Sequence, residues 1–146
     1  MKQVTLFCDG SSLGNPGSGG WCGILRYKDK EKIIKGGKAN VTNNQMELSA
    51  VIESLKALKE PCEVLIVSDS SYVLKGISEW LPSWIARNFK DVKNPKLWQE
   101  FLEVSKNHKI KVEWVRGHNG HKENEICDKI AKEEATKIKN KEFIKG

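Results

Sequence analysis

The sequence predicts an α/β domain in which helices flank a mixed sheet of five strands. Val4, Leu6 and Cys8 recur at every second position, which is typical of a strand. After residue 43, apolar residues recur at helical spacing instead. The unbroken apolar run 64–67 is typical of a central strand that is covered on both faces. A crossover helix joins parallel strands and a hairpin joins antiparallel ones, so a chain with both is expected to form a mixed sheet.

The first half of the chain supplies four of the strands and the crossover helix. A glycine-rich loop is expected at 10–20, and strands at 21–27 and 32–38 are expected to form a hairpin around the turn KDKE. A helix begins at Asn43 or Asn44, and Pro61 stops it. Because this helix joins the first strand to the strand at 64–67, we expect those two strands to be parallel and close in space.

The second half continues with helices around one more strand. Polar residues 68–71 cap a helical stretch that runs through Trp80 and is interrupted near Pro82. The remaining elements are expected to be a helix at 96–106, a strand at 110–115, and a helix from Lys122 to about Lys139 with Ile126, Cys127, Ile130, Ala131 and Ile138 inward. The whole chain, 1–146, reads as one domain, with 137–146 as a polar, partly frayed tail.

Composition limits the classes of function. The 146 residues are 38% hydrophobic and 30% charged, with a net charge of +6, which describes a globular domain. No segment is long and apolar enough for a membrane span, and the N-terminus does not resemble a signal peptide, so a cytoplasmic protein is expected. The four cysteines lack metal-site spacing and are expected to be reduced and mostly buried.

The positive charge is concentrated in the second half of the chain. Residues 1–74 carry nine Lys or Arg against eight Asp or Glu, whereas residues 75–146 carry sixteen against eleven. A basic half favours a polyanionic partner, most simply nucleic acid. A lysine-rich solvated surface would account for the same count.

Four acidic residues stand near expected element ends: Asp9, Glu47, Asp69 and Asp128. Each has a local alternative explanation. Asp9 can form a turn with Gly10, Asn44 and Glu47 fit a capping box, Asp69 fits a helix N-cap, and Asp128 can pair with Lys132 four residues later.

The local explanations weaken when the four acids are considered together. Asp9 and Asp69 end neighbouring parallel strands, so their side chains should reach one crevice, with Glu47 and Asp128 on helices beside it. Carboxylates about 4 Å apart repel by roughly 4 kcal/mol per pair at an effective dielectric near 20, so such a cluster takes up protons or cations. Oxygen ligands select hard cations such as Mg²⁺, which predicts metal-assisted phosphoryl chemistry.

Four sequence blocks resemble the signatures of type 1 ribonuclease H. They are DGSSLGNPGSGG from Asp9, TNNQMEL from Thr42, SDSSYV from Ser68 and EWVRGHNGHKENEICDKIA from Glu113, in the family's order and over nearly the whole chain. The resemblance implies a ribonuclease H-like fold. It also implies Mg²⁺-dependent endonucleolytic hydrolysis of the RNA strand of RNA/DNA hybrids by a two-metal-ion mechanism, with 5′-phosphate and 3′-hydroxyl products and Mn²⁺ as an alternative cation.

The resemblance also implies roles for individual residues. The four acids match the metal-binding carboxylates, and His118 matches the catalytic histidine, which aids proton transfer or product release in the family. Histidine suits proton transfer because its pKa lies near neutrality. The alternatives for His118 and His121 are simple loop polarity, or zinc binding together with Cys127.

Substrate contacts are implied in two regions. By resemblance, Asn15, Asn43, Asn44 and Gln45, with Ser12 and Ser71 nearby, match residues that contact the minor groove. Gln45 and Ser71 depart from the residues common at those positions, which are often Arg and Gln.

The segment 75–96 interleaves aromatic and basic side chains, a composition that suits a DNA backbone. The residues expected to bind the DNA strand are Trp80, Trp84, Arg87, Lys90, Lys93 and Lys96. We expect Trp80 to be partly buried and Trp84 to be more exposed; the alternative is that both are core residues. The segment resembles the family's basic protrusion in shortened form.

Two other functions compete with the nuclease. A non-catalytic module that binds hybrids would need only the basic half and the polar loops, and an integrase or transposase would share the carboxylates but usually has further domains. All four matched acids are present, which favours the enzyme, acting as a monomer on a hybrid duplex and without a membrane partner.

Overall fold

The computed structural model describes residues 1–115 and 121–145, with side chains through 142. One mixed sheet has the strand order β3-β2-β1-β4-β5. Its strands are β1 (Lys2–Ser12), β2 (Gly17–Tyr27), β3 (Lys30–Val41), β4 (Cys62–Ser68) and β5 (Lys109–Trp114). β1 pairs with β4 in parallel and with β2 antiparallel, so the expected pairing of the first strand with the strand after the crossover is confirmed.

Five α-helices flank the sheet in the described part of the chain. They are α1 (Asn43–Lys56), α2 (Ser71–Lys75), α3 (Leu81–Ala86), α4 (Pro95–Ser105) and α5 (Lys122–Lys145), with a π-helical turn at Gly76–Trp80 between α2 and α3. None of the described helices is long and apolar enough to cross a membrane.

The central strand β1 is buried on both faces, which separates two hydrophobic layers. Leu6 belongs to the layer that also contains the α1 residues Val51 and Leu55, whereas Phe7 packs with Cys127 of α5. All four cysteines are buried and free, as the sequence predicts.

Most of the predicted glycine-rich loop is in fact strand. Ser11 pairs with Gly20 and Ser12 with Gly19, so only 13–16 lie between β1 and β2. The glycines are required by packing, because a Cβ at Gly20 would lie 2.2 Å from the carbonyl oxygen of Ala131 in α5. The prediction of a loop was wrong because the glycines were interpreted as turn residues. Sequence alone does not show that α5 crosses this part of the strand and requires small residues there.

The helix caps exclude the local alternatives for Glu47 and Asp69, although α2 is capped from within 68–71 as expected. Thr42, not Asn44, caps α1: its hydroxyl accepts from the Gln45 N–H at 3.2 Å, and Gln45 Oε1 accepts from the Thr42 N–H at 2.9 Å. Ser70, not Asp69, caps α2 through the Val73 N–H. Glu47 and Asp69 are therefore not used as caps.

The expected exposure of the two tryptophans in the basic segment was reversed. Trp80 is 36% exposed, whereas Trp84 is half-buried and packs its ring against Trp98, with centroids 5.1 Å apart. The π-helical turn explains the difference. It holds an extra residue per turn, so the inward position passes from Trp80 to Leu81, which is only 6% exposed.

The last helix departs from its predicted pattern in two ways. Ile126 is 38% exposed, so the expectation that it faces inward was wrong; the buried positions are Cys127, Ala131 and Ala135. Small residues occupy that face because α5 packs closely on the glycines of β2. The helix also continues to Lys145, beyond its predicted end near Lys139.

Candidate active site

Three of the predicted acids meet at the carboxyl ends of the parallel strands. Phe7 is in register with Val67 in the β1–β4 pair, so two residues further on Asp9 and Asp69 lie side by side. Glu47 reaches the same point from the first turns of α1. One oxygen from each of the three carboxylates lies within 4.8 Å of the others.

Gly10 allows β1 and α1 to approach closely enough for Asp9 and Glu47 to meet. A Cβ on residue 10 would lie 2.3 Å from the backbone nitrogen of Glu47 and 2.4 Å from the carbonyl carbon of Met46. Both atoms belong to the backbone, so no side-chain rotation can relieve the clash. The distance between the two carboxylates therefore depends on a glycine at this position.

We expect Gly10→Ala to damage both the fold and the site. The overpacked contact should lower the free energy of unfolding by about 1–3 kcal/mol, and a shift of α1 of about 1 Å should reduce cleavage about 100-fold. Thermal unfolding and a hybrid-cleavage assay measure the two effects. Wild-type activity in Gly10→Ala would contradict the argument.

Asp128 lies in the same cavity but not in the tight cluster. The cavity has a volume of about 380 Å³ and is lined by Cys8, Asp9, Asp69, Val115, Asn124, Glu125 and Asp128. Asp128 Oδ2 bonds to Lys132 Nζ at 3.0 Å, so the local i,i+4 pair expected as an alternative is present as well. Both groups are exposed enough to rearrange.

Burial and mutual repulsion perturb the acids. Burial raises the pKa of Asp9 to about 7, and the charges of Asp69 and Asp128 act in the same direction. Burial and the charge of Asp9 raise the pKa of Glu47 well above its ordinary value, and burial raises the pKa of Asp69. Near neutral pH the cluster therefore retains protons unless a cation balances its charge.

The cluster fits a divalent cation. Glu47 Oε2 is buried and has no hydrogen-bond partner among the described residues. A buried acceptor in this condition is destabilising unless a ligand satisfies it. The donor set is all oxygen, which suits hard cations.

A second polar cavity contains three of the residues matched to the minor groove. It has a volume of about 460 Å³ and is lined by Asn15, Thr42, Asn43, Asn44, Lys93 and Asn94. The Ser12 N–H donates to Asn43 Oδ1 at 2.7 Å, and the Asn43 N–H donates to Asn15 Oδ1 at 3.3 Å. These predicted contacts are thus brought together, while Gln45 is engaged in the α1 cap.

The other predicted substrate residues lie on or near the surface of 71–96. Ser71 is exposed at the start of α2, and Arg87, Lys90, Lys93 and Lys96 are exposed. Trp80 and Trp84 have ring centroids 5.6 Å apart. Only Trp84 is committed to the core, so Trp80 is the ring that a ligand can reach.

His118 lies outside the described residues. His121 Nε2 is 3.0 Å from Glu113 Oε2, and its ring lies edge-on to Phe7. Cys127 directs its thiol to the carbonyl oxygen of Phe7 at 3.4 Å. Among the described residues, the grouping suited to a metal ion is Asp9, Glu47 and Asp69, not these two side chains.

Sequence reasoning missed three residues that shape the cavities. Asn124 lines the acidic cavity and donates to the carbonyl oxygen of Val67 at 3.0 Å, and its position four residues before Asp128 was a usable signal. Asn94 lines the polar cavity, and an Asn immediately before a Pro that opens a helix was its signal. The role of Gly10 had no signal beyond the residue type.

Comparison with known proteins identifies the family. The RNase H family profile matches residues 1–136. A Ribonuclease H from Campylobacter concisus is 62% identical over 99% of this chain and 100% of its own length, and Ribonuclease HI from Helicobacter pylori (strain ATCC 700392 / 26695) is 59% identical over 94% and 96%. A crystal structure described as a type 1 RNase H with the type 2 active-site motif superposes with a TM-score of 0.86 at 28% identity, covering 94% of this chain and 74% of that one.

The fold is a five-stranded mixed sheet, and acidic residues cluster at the ends of its parallel strands. Together with these relatives, the two features define a metal-dependent nuclease of the ribonuclease H fold. The chain belongs to the ribonuclease H family, as a type 1 enzyme of the bacterial kind. It is a hydrolytic endoribonuclease that cleaves the RNA strand of RNA/DNA hybrids, for which a two-metal-ion mechanism is general in the family.

Proposed function

We propose that Asp9, Glu47, Asp69 and Asp128 hold Mg²⁺, two ions when substrate is bound, with Mn²⁺ able to replace it. The observation that carries the proposal is the convergence of three carboxylates within 4.8 Å, one with a buried oxygen that lacks a partner in the described chain. Asp9 and Asp69 form the core of the site because adjacent strand ends hold them. Asp128 completes it from α5, and its exposed bond to Lys132 can open at little cost.

When bound, divalent cations activate the attacking water and stabilise charge on the phosphate and on the departing 3′ oxygen. The protein contributes fixed carboxylates, whose spacing is maintained by strand pairing and by the contact at Gly10. His118, on the segment before α5, would transfer a proton. The expected products are a 5′-phosphate and a 3′-hydroxyl.

The hybrid is placed across the two cavities in this proposal. Ser12, Asn15, Asn43 and Asn44, with Ser71, face the minor groove on the RNA side, where short polar groups can bond to 2′-hydroxyls. The DNA strand follows the exposed side chains of the basic segment, which are Trp80, Arg87, Lys90, Lys93 and Lys96. The ring of Trp84 packs against the ring of Trp80 and so supports it.

Hybrid affinity should fall steeply with salt, and the basic segment should account for part of the slope. Changing Arg87, Lys90 and Lys93 together to Ala should reduce the slope of log affinity against log salt by about 2–3, since each phosphate contact contributes about 0.7–0.9. Fluorescence anisotropy with a labelled hybrid at several salt concentrations measures it.

The matched control removes three lysines from the opposite end of the parallel strands, away from the acids. Lys59, Lys106 and Lys109 lie near the amino ends of β4 and β5, and changing them to Ala removes the same charge. The control should leave the slope within about 0.5 of wild type, less than one phosphate contact. Equal slopes for the two triple variants would exclude the proposed DNA path.

The direct test of the function is a labelled RNA/DNA hybrid with RNA/RNA and DNA/DNA controls, each with and without Mg²⁺ or Mn²⁺. Cleavage confined to the RNA of the hybrid and dependent on the cation is expected. Tight hybrid binding without cleavage under any of these conditions would instead support a non-catalytic binding module.

A monomer in the cytoplasm is the proposed state of the enzyme. Four free, buried thiols suit a reducing compartment. The acidic cavity is lined within one chain by residues of β1 and α5 together with Asp69 and Val115. Sedimentation at micromolar concentration should give a mass near 16.5 kDa.

A further inference from the structure

The hydroxyl group of Tyr72 in α2 bonds to two side chains at the start of α4. Trp98 Nε1 donates to Tyr72 Oη at 2.9 Å, and Asn94 Nδ2 donates to the same oxygen at 3.1 Å. Trp98 is fully buried and its ring nitrogen can only donate, so the hydroxyl oxygen is an obligatory acceptor. The Tyr72 O–H can donate to the carbonyl oxygen of Lys93 at 3.4 Å. The Tyr72 hydroxyl therefore accepts two hydrogen bonds and can donate one, all within the protein.

Asn94 continues the chain of hydrogen bonds to the start of α1. It precedes α4 as its N-cap residue, yet its side chain does not cap that helix. Instead Asn94 Oδ1 accepts from Gln45 Nε2 at 3.0 Å, while Gln45 Oε1 accepts from the Thr42 N–H. Both ends of the Gln45 amide are engaged within the protein, so this side chain has a structural partner on each side.

These bonds connect the two walls of the polar cavity. Asn15, Asn43 and Asn44 form the wall next to α1, and Lys93 and Asn94 form the opposite wall. The Gln45–Asn94 bond crosses from one wall to the other. The width of the cavity thus depends on the bonds from Gln45 to Asn94 and from Asn94 to Tyr72.

The second wall needs such an anchor because its backbone is strained. Asn88, Phe89, Asp91 and Asn94 all have φ between 52° and 61°, the left-handed region that non-glycine residues rarely adopt. Four such residues within seven positions persist only when surrounding contacts over-determine them. The bonds from Tyr72 to Asn94 and to the carbonyl of Lys93 hold the carboxyl end of this stretch.

We propose that Tyr72 and Gln45 are positioning residues that set the separation between the RNA-facing wall and the basic segment, so that both strands of a hybrid engage at once. In this assignment Gln45 acts through Asn94 and does not itself contact the RNA strand. The inference rests on the proposed placement of the hybrid. It also accounts for an amide at position 45, since the arginine common there has no acceptor to offer the Thr42 N–H.

Tyr72→Phe tests the proposal by removing one oxygen. We expect KM for the hybrid to rise about 3- to 10-fold, the effect of losing one or two hydrogen bonds, with kcat within twofold of wild type. Tyr27→Phe is the matched control, because Tyr27 ends β2 at the edge away from the acids, and its KM should not change. A lower melting temperature with unchanged KM would show that Tyr72 has a merely structural role and would overturn the proposal. A fall in kcat as large as the rise in KM would also overturn it.

Gln45→Met breaks the same chain of bonds from the other end and carries the test if Tyr72→Phe does not fold. Its KM should also rise, and the double variant should show less than the product of the two effects, because both changes release Asn94. Fully multiplicative effects would overturn the inference. If removing Arg87, Lys90 and Lys93 leaves the salt slope unchanged, the proposed placement of the hybrid is wrong. If the slope falls but the KM values of the Tyr72 and Gln45 variants stay unchanged, only the inference about these two residues is wrong.

Discussion

Asp9→Asn and Asp69→Asn should each lower hybrid cleavage by about 1000-fold or more while leaving hybrid binding within a few-fold of wild type. Each change removes one negative charge from the core of the cluster without changing side-chain volume. Loss of cation activation should raise the barrier by about 4 kcal/mol, which corresponds to about 1000-fold in rate. Single-turnover cleavage at saturating Mg²⁺ and anisotropy with the hybrid measure the two quantities.

Asp29→Asn is the matched control for this prediction. Asp29 lies in the exposed turn between β2 and β3, so the same chemical change there should leave cleavage unaltered. If Asp9→Asn retained more than a tenth of wild-type cleavage, Asp9 could not be at the centre of the cation site. Loss of binding in parallel with cleavage would instead indicate a folding defect.

Asp9→Asn should also stabilise the metal-free protein at pH 8. Asp9 is 7% exposed, and burial raises its pKa from 3.8 to about 7, so the folded state binds its proton more tightly than the unfolded state does. Stability from this group is therefore present at low pH and is lost as the pH rises from about 4 to about 7. At about 1.4 kcal/mol per pKa unit, the neutral amide should recover about 2–4 kcal/mol, or roughly 5–10 °C in Tm.

Thermal unfolding in EDTA across pH 4–8 tests this prediction. The advantage of Asp9→Asn over wild type should shrink towards pH 4, where the wild-type carboxyl is protonated in the folded state. Saturating Mg²⁺ should raise the Tm of wild type more than that of the variant, since the cation balances the same charge. A variant that is no more stable than wild type in EDTA at pH 8 would contradict the assigned cause. Asp29→Asn should follow the wild-type curve throughout.

Local patterns predicted the sheet and the convergence of Asp9 with Asp69 because the physics behind them is local. Alternation at Val4, Leu6 and Cys8 and the apolar run at 64–67 reflect burial of one or both faces of a strand. The positions of Asp9 and Asp69 at neighbouring parallel strand ends follow from the crossover connection alone. The order of elements along the chain is therefore enough to predict that these two carboxylates converge.

Other features depended on contacts between residues far apart in the chain. Asn44 with Glu47 fits a capping box by residue type, but Thr42 caps α1 together with Gln45, whose amide also bonds to Asn94. The exposure of Trp80 and the burial of Trp84 followed from a π-helical turn that no periodicity announces.

The sequence by itself determined the fold class, the family motifs and the acidic residues, because strand and helix periodicity and strand-end carboxylates are written in short stretches of chain. Tertiary structure alone decided the spacing of those residues. Gly10 sets how near Asp9 comes to Glu47, and Tyr72 with Asn94 sets how the two walls of the polar cavity face each other. Such distances arise from packing between elements distant in sequence, where a clash of one Cβ or the loss of one hydroxyl changes the geometry.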